Sequence, residues 1–164
     1  MTPADGILVL TTGGTFDKIY FDARSTFEVG SSIVDQLLEQ AKVAVQHEII
    51  EVMRKDSLEL DDEDRARIRR TVLEASFRRI VITHGTDTMT HTAAALQDVP
   101  DKTIVLTGAL APARFAETDA MFNLGMAFGA VQTLGAGVYI AMNGTVFEAG
   151  RVRKDPDTNT FISC

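Results

Sequence analysis

A threonine that follows two glycines is the first residue in this chain whose type and position could do chemistry. Thr15 comes directly after Gly13 and Gly14, which follow a short apolar run at 7–10. A threonine hydroxyl attacks a carbonyl carbon when a base takes its proton, and the glycines allow a sharp turn that exposes backbone N–H groups to an oxyanion. The same residues also fit an ordinary strand-to-loop turn capped by Thr15, so this motif alone does not decide.

A hydroxyl and a carboxylate lie side by side further along the chain. Thr86 and Asp87 follow a second apolar run, at 80–83, and precede a helical pattern. Asp87 alone would fit the N-cap of that helix. A threonine beside an aspartate, at the same sheet edge as Thr15, also fits a second nucleophilic centre, which a lysine would complete. Lys154 could supply that lysine, or it could belong to a solvated basic stretch.

Short apolar runs alternate with helical patterns along the chain. The predicted strands are 7–10, 47–53, 80–83, 103–107 and 137–142, the predicted helices are 31–41, 61–79, 88–97 and 118–134, and a hairpin is predicted at 144–152. Strands that alternate with helices build β-α-β crossovers and a parallel sheet. The pattern therefore predicts an α/β fold: a doubly wound, flavodoxin-like, mostly parallel sheet with helices on both faces and a short C-terminal hairpin. In such a sheet the ligand lies outside the carboxyl ends of the strands, where both threonine motifs fall.

The helix at 61–79 has the clearest pattern. Its first turn is acidic and its later turns are basic, which matches the helix dipole. Ile68, Val72 and Ala75 recur at helical spacing, and Phe77 widens the apolar face. The pattern therefore predicts one amphipathic helix over this whole length.

Length and composition bound what the chain can be. It has 164 residues, of which 45% are hydrophobic and 24% charged, as is typical of one globular domain. The 16 basic and 23 acidic residues give a net charge of −7, which argues against a general nucleic-acid binder and against docking on an anionic membrane. A single cysteine, Cys164, allows no internal disulfide, and neither a membrane span nor a signal peptide is recognisable. We therefore expect a cytoplasmic protein with no membrane or nucleic-acid partner.

Several standard sites are missing from the sequence. Gly13 and Gly14 are adjacent, so the dinucleotide motif G-x-G-x-x-G is not formed, and no P-loop follows. The three histidines lack the spacing of a zinc site, and the G-x-S-x-G elbow of α/β-hydrolases does not occur. Threonine chemistry is what remains.

Two motifs together resemble the bacterial-type L-asparaginases: Thr12–Thr15 reads T-G-G-T, and Ile82–Met89 reads I-T-H-G-T-D-T-M. Further matches follow in the family's order: Val105–Ala109 with Pro112, Asn123–Leu124, Met142–Asn143 and Arg151–Lys154. The resemblance covers nearly the whole chain and corresponds to the family's larger, N-terminal catalytic domain. It implies that residues 1–164 form a single asparaginase N-terminal-like domain without the family's C-terminal domain, either as a natural short form or as a truncated chain.

The resemblance implies an amidohydrolase that converts L-asparagine to L-aspartate and ammonia, with some glutaminase activity and with neither a metal nor a cofactor. Thr15 matches the family's first catalytic threonine, which is the nucleophile. Its triad of threonine, aspartate and lysine matches Thr86, Asp87 and Lys154. Ser57 matches the serine that holds the substrate's α-carboxylate, and Asp87 is expected to hold the α-ammonium group. The full set of expected substrate-binding residues is Gly14, Asp56, Ser57, Gly85, Thr86, Asp87 and Ala109, the last through its carbonyl.

Two features depart from the family pattern. The family's flexible loop carries a tyrosine that assists the first threonine, but its Tyr-x-Val-Gly pattern reads Phe27–Gly30 here. Tyr20 could supply a catalytic hydroxyl from another loop position, or it could be a partly buried aromatic. The second departure concerns the substrate's amine, which two-domain members hold with a glutamate from a neighbouring subunit's C-terminal domain. Glu117 and Asp119 are acids that could replace it, but the sequence does not select either.

Partners and alternatives follow from the same resemblance. The family forms homo-oligomers, so we expect a dimer or tetramer that acts on a small amino-acid amide. The helix at 118–134 carries four large apolar residues: Met121, Phe122, Met126 and Phe128. They could form a subunit interface or be buried in the core.

Two other functions stay open: an amide or amino-acid binding protein with little turnover, and an amidotransferase component that needs its partner. Whether Lys154 acts as a base or as an electrostatic anchor is also open.

Overall fold

The computed structural model describes residues 5–21, 26–29 and 32–164, with side chains for 5–18 and 32–164. Its strands are β1 (Ile7–Gly13), β2 (Lys18–Phe21), β3 (Thr26–Val29), β4 (His47–Lys55), β5 (Arg79–Thr83), β6 (Thr103–Thr107), β7 (Gly137–Met142), β8 (Thr145–Glu148), β9 (Val152–Asp155) and β10 (Thr160–Ser163). Its helices are α1 (Val34–Gln40), α2 (Asp62–Glu74), α3 (Met89–Leu96) and α4 (Ala120–Thr133). Among these described helices, none is long and apolar enough to cross a membrane.

Six strands form the central sheet in the order β4-β1-β5-β6-β7-β8. The first five run parallel, and β8 runs antiparallel to β7. Numbered along the chain, the five parallel strands have the order 2-1-3-4-5, so the predicted flavodoxin-like fold is confirmed. The strand order reverses between β1 and β5, and the ligand crevice of such a sheet lies where these two strands end.

Helices cover both faces of the sheet because successive strand residues point to opposite faces. Leu8 and Leu10 pack in one apolar cluster with α2 and α3, whereas Ile7 and Val9 pack in a second cluster with α1 and α4. Every residue of β1 and of β6 is buried. Strands buried on both faces read as continuous apolar runs, which is why the sequence identified them.

The helix predicted at 61–79 is too long, because α2 ends at Glu74. Ala75 is already extended, with φ −67° and ψ 136°. Every residue of α2 is described, and its last turn holds no basic residue. The predicted match between basic residues at the end of this helix and the helix dipole is therefore wrong. The ammonium group of Lys102 donates to the carbonyl oxygens of Ala75 and Phe77 at 2.6 and 2.7 Å. A partner distant in sequence thus stabilises the chain reversal.

The hairpin predicted at 144–152 is wrongly placed, although a C-terminal hairpin is present. β8 pairs with β7 across Asn143 and Gly144, whose φ angles are 52° and 71°, as is typical of a type I′ hairpin turn. The C-terminal hairpin consists of β9 and β10, and it places Lys154 opposite Phe161. The β2–β3 hairpin was not predicted at all.

The long apolar helix α4 is mainly a core helix. Leu124, Phe128 and Val131 are buried against the sheet, and Met121 and Met126 pack partly buried beside them. Phe122 differs from these residues, because it is 66% exposed. Of the four large residues considered for a subunit interface, Phe122 therefore offers the most exposed surface.

Candidate active site

Turns from three strands meet at the point where the strand order reverses. Gly14 follows β1, Gly85 follows β5, and Ser57 follows β4. A Cβ atom added to Gly14 would lie 2.5 Å from the Cα of Gly85, and one added to Gly85 would lie 2.6 Å from the Cβ of Ser57. Both glycines are thus needed for this close approach, and Gly14 also has a positive φ of 83°.

Thr15 begins a 3₁₀ turn, Thr15–Asp17, at the end of β1. The N–H of Gly14 donates to the carbonyl of Lys55 at 2.9 Å, and the N–H of Asp17 donates to the carbonyl of Gly14 at 3.2 Å. The first N–H groups of such a turn, those of Thr15 and Phe16, have no carbonyl within the turn to bind. Phe16 is fully buried and the N–H of Gly14 already donates to Lys55, so the N–H of Thr15 is the candidate oxyanion donor of this turn.

Thr15 borders an open cavity of about 370 Å³. The other lining residues are Lys18, Leu110, Ala111, Pro112 and Phe115. The threonine is half-buried, so its side chain is accessible to a small molecule without being fully solvated. The cavity gives a substrate a route to the candidate nucleophile.

Lys154 joins Thr86 and Asp87, the hydroxyl and the carboxylate of the second motif. Its Nζ donates to Oγ1 of Thr86 and to Oδ1 of Asp87, both at 2.8 Å. Thr86 is buried, and the side chains of Lys154 and Asp87 are 18% and 46% exposed. Because the hydroxyl oxygen of Thr86 accepts from an ammonium group, its own proton is available for donation to a third group.

Ser57 is buried beneath the start of α3, and Thr88 binds it twice. The N–H of Thr88 donates to Oγ of Ser57 at 3.3 Å, and the hydroxyl of Thr88 donates to the Ser57 carbonyl at 2.7 Å. The hydroxyl of Ser57 is thereby used as an acceptor, which leaves its proton for an anionic partner. Thr88 was not predicted as a site residue.

Asp56 lies beside Ser57 and holds Lys18. Oδ2 of Asp56 is 2.9 Å from the Lys18 ammonium, and Oδ1 accepts from the N–H of Leu58 at 3.2 Å. Burial alone would raise the pKa of Asp56, but the hydrogen bonds from Lys18 and Leu58 outweigh burial and hold the pKa below its usual value. Asp56 therefore places a cation beside the Thr15 cavity.

His84 fixes the turn that carries Thr86 and Asp87. Its ring is fully buried, with Nδ1 2.7 Å from the Gly85 carbonyl and Nε2 2.7 Å from the hydroxyl of Thr92 on α3. A carbonyl oxygen only accepts, so Nδ1 carries the proton and Nε2 accepts from Thr92. Burial lowers the pKa of His84 to about 4 against the opposing Gly85 hydrogen bond. The imidazole is thus neutral, and it positions this turn without titrating near pH 7.

The loop after β6 is held by Asp119. Its carboxylate accepts from the N–H groups of Leu110 and Ala111 at 3.0 and 3.1 Å and from Nδ2 of Asn123 at 2.8 Å. Ala109 precedes this loop and is buried. Asp119, one of the two acids considered for the substrate amine, is therefore engaged in shaping the loop.

The structure brings most of the predicted site residues to one edge of the sheet. These are Gly14, Thr15, Asp56, Ser57, Gly85, Thr86, Asp87, Ala109 and Lys154. Tyr20 lies on β2, but its side chain falls outside the described residues, as does Gly30 of the altered loop pattern. Three residues were not predicted as site residues. Lys18 and Thr88 reach the site through contacts with the distant Asp56 and Ser57, whereas His84 acts through its burial and its hydrogen bonds to Gly85 and Thr92.

Comparison with known proteins places this arrangement in context. Residues 6–161 match the family model described as Asparaginase, N-terminal. The chain is 32% identical over 160 residues to the L-asparaginase of Thermococcus kodakarensis, covering 90% of this chain and 47% of that protein. It is 31% identical over 166 residues to the glutaminase-asparaginase of Pseudomonas fluorescens biotype A, covering 92% of this chain and 45% of that protein.

Solved structures agree with this comparison. The thermostable L-asparaginase from Thermococcus kodakarensis superposes with a TM-score of 0.83 and 30% identity, over 96% of this chain and 51% of that one. The probable cytoplasmic L-asparaginase from Campylobacter jejuni superposes with a TM-score of 0.81 and 28% identity, over the same shares, 96% and 51%. The chain spans about half the length of the curated relatives that it matches.

Proposed function

This chain belongs to the asparaginase family, and we propose from that premise that it hydrolyses the side-chain amide of L-asparagine to L-aspartate and ammonia, with L-glutamine as a second substrate. The observation that carries the proposal is the bridge from Lys154 to Thr86 and Asp87, at 2.8 Å each. The bridge lies at the same sheet edge as Thr15. Two hydroxyl groups, a carboxylate and an ammonium group at one edge of the sheet are suited to acyl transfer.

Thr15 is the proposed nucleophile. Its Oγ attacks the amide carbon, its proton passes to the leaving nitrogen, and ammonia departs, which leaves an ester between Thr15 and the aspartyl group. Water then adds to the ester, aspartate leaves, and Thr15 regains its proton. The N–H of Thr15 stabilises the negative charge on the carbonyl oxygen during both steps.

Other groups at the edge hold the substrate and orient the water. Asp87 binds the α-ammonium group with the oxygen that Lys154 does not use, and Ser57 donates its proton to the α-carboxylate. The carbonyl of Ala109 accepts from the substrate. Thr86, with its oxygen bound by Lys154, orients the hydrolytic water. Gly14, Asp56, Gly85 and Tyr20 complete the proposed site, the first three by shaping it and Tyr20 as a further catalytic hydroxyl.

Ammonia release from L-asparagine and L-glutamine tests the proposal. Thr15→Ala should abolish release, and Thr15→Ser should retain part of it because serine keeps the hydroxyl. Full activity in Thr15→Ala would overturn the assignment of the nucleophile. A wild-type protein that releases no ammonia but gains thermal stability with asparagine would instead be a binding protein. Activity only in the presence of a protein partner would indicate an amidotransferase component.

We also propose that the protein is a cytoplasmic homo-oligomer, a dimer or tetramer, and that residues 1–164 fold as one catalytic domain. The exposure of Phe122 on α4 supports the oligomer, and the single cysteine is consistent with a reducing compartment. Sedimentation of the wild type should show the mass of an oligomer, and Phe122→Asp should show a lower mass. A wild type that sediments as a monomer at high concentration would contradict the proposal. Cell fractionation tests the location, and a single cooperative unfolding transition tests the domain.

A further inference from the structure

A carboxylate is buried two residues after the proposed nucleophile. Asp17 ends the 3₁₀ turn that Thr15 begins, and it is 1% exposed. Neither the sequence motifs nor the proposed mechanism gives it a role. A buried carboxylate is costly unless it is paired or hydrogen-bonded, so its position next to Thr15 calls for a physical explanation.

The side chain of Asp17 binds the segment that enters α1. Oδ1 accepts from the N–H of Ile33 at 3.3 Å, and the side chain of Ser32 lies close enough to lower the pKa of the carboxylate. Ile33 occupies the N-cap position of α1. The carboxylate therefore ties the Thr15 turn to a helix on one face of the sheet.

The backbone of the same turn binds a different segment, the loop after β6. Nη1 of Arg114 donates to the carbonyl of Asp17 at 3.1 Å, and the N–H of Ala113 donates to the carbonyl of Phe16 at 3.1 Å. The turn is thus held from two sides. The carboxylate of Asp17 supplies the connection to α1, and the backbone supplies the connection to the loop that borders the Thr15 cavity.

The charge of this carboxylate opposes its own burial. Burial raises the pKa of Asp17 to about 6, although hydrogen bonds from Ser32 and Ile33 and the charge of Arg114 lower it. The carboxylate of Glu51 on β4 adds a smaller rise. Among the described residues, Arg114 and Glu51 are the charged groups that shift this pKa, and the uncharged groups that lower it, Ser32 and Ile33, lie just before α1. Asp17 is therefore ionised at neutral pH at a cost to the fold, as is common at functional sites.

We infer that Asp17 is a positioning residue for Thr15, whose carboxylate fixes the nucleophile's turn against the segment that enters α1. The inference rests on the proposed function, in which Thr15 is the nucleophile. Asp17 does not exchange a proton with the substrate. It keeps the Thr15 hydroxyl and the adjacent N–H groups in one geometry, and small displacements of reacting groups reduce rates strongly.

The first test compares Asp17→Asn with Asp35→Asn, a matched control. Asp35 is an exposed carboxylate in the first turn of α1. Asparagine preserves the size of Asp17 and removes its charge, so we expect kcat to fall about 10–100-fold with KM changed less than about threefold. The control should retain both values. Wild-type kcat should fall below about pH 6 as Asp17 is protonated, and Asp17→Asn should lack that decrease.

A purely structural role predicts a different result. The variant would then lose stability, and its kcat per folded molecule and its pH profile would match those of the wild type. That outcome would overturn the inference.

Hydrogen exchange provides a test that does not depend on turnover. The peptide that spans residues 11–18 should exchange faster in Asp17→Ala, which removes the acceptor of the Ile33 N–H, than in the wild type or in Asp35→Asn, while peptides from β5 and β6 exchange equally in all three. Unchanged exchange in 11–18 would overturn the inference even if ammonia is released. Faster exchange in a protein that releases no ammonia would support the role of Asp17 in holding the turn, and the proposed function alone would fail.

Discussion

Replacing Asp17 by asparagine is expected to stabilise the fold above about pH 6 and to change it little near pH 4. The pKa of Asp17 is raised from 3.8 to about 6 in the folded protein, mainly by burial. The folded state therefore binds this proton more tightly than the unfolded chain. The associated stability is fully present below about pH 4 and is lost as the pH rises through about 6. Roughly two pH units at ~1.4 kcal/mol each give a loss of about 3 kcal/mol.

His84 works in the opposite direction over the same interval. Burial lowers its pKa from 6.5 to about 4, so the folded state binds this proton less tightly than the unfolded chain. Stability from the neutral imidazole is therefore gained as the pH rises from about 4 to about 6.5, by a similar ~3 kcal/mol. The two contributions oppose each other in the wild-type curve. Subtracting the wild-type curve from that of Asp17→Asn isolates Asp17, because both proteins contain His84.

Urea unfolding between about pH 4 and about pH 8 measures this difference. The free energy of unfolding of Asp17→Asn, minus that of the wild type, should rise by about 3 kcal/mol across the interval, with its midpoint between the unfolded and folded pKa values of Asp17. The matched variant Asp35→Asn should show no such rise. A difference that stays constant with pH would refute the reasoning that burial governs the ionisation of Asp17.

Two further predictions concern the crevice itself. Lys154→Met should lower kcat at least about 100-fold, because it removes the ammonium group that bridges Thr86 and Asp87. Arg153→Met, at the exposed neighbouring position of β9, should leave kcat within about twofold. Equal losses of kcat in the two variants would exclude a specific role for the bridge. Gly85→Ala should destabilise the fold by about 1–3 kcal/mol, because the new Cβ would lie 2.6 Å from that of Ser57. A Cβ atom added to Gly125 on α4 would meet no atom within 4 Å outside the neighbouring backbone of its own helix. Gly125→Ala should therefore stabilise the fold by up to about 1 kcal/mol. Thermal unfolding of both glycine variants measures these changes.

Buried strands and their order were the part of the fold that the sequence predicted well. The strands at 103–107 and 137–142 have the predicted bounds, because each is a continuous apolar run next to polar residues. The alternation of strands with helices predicted the parallel sheet, and the carboxyl ends of its strands were the predicted place of the ligand. The residues at 12–15 and 82–89 predicted the candidate site, since the residue types that suggest its chemistry lie within these short segments.

The features that the sequence did not predict depend on contacts between distant segments. α2 stops at Glu74 because the reversal that follows is stabilised by Lys102, a residue that no local period reveals. The neutral state of His84 depends on burial and on Thr92. The free-energy cost of burying the Asp17 carboxylate likewise arises only in the folded chain. A helical period cannot report any of these, since it describes one element at a time.

The charges around the crevice favour a zwitterionic substrate over a purely anionic or cationic one. Lys18 is paired with Asp56 at 2.9 Å on one side, and Lys154 is paired with Asp87 at 2.8 Å on the other. Each pair is neutral overall, so neither pair by itself would concentrate ions of one sign. The edge does present separate positive and negative groups, and an amino-acid amide carries one charge of each sign. The paired charges thus suit the proposed amino-acid amide, and they extend the argument from Asp87 and Lys154 to Lys18 and Asp56.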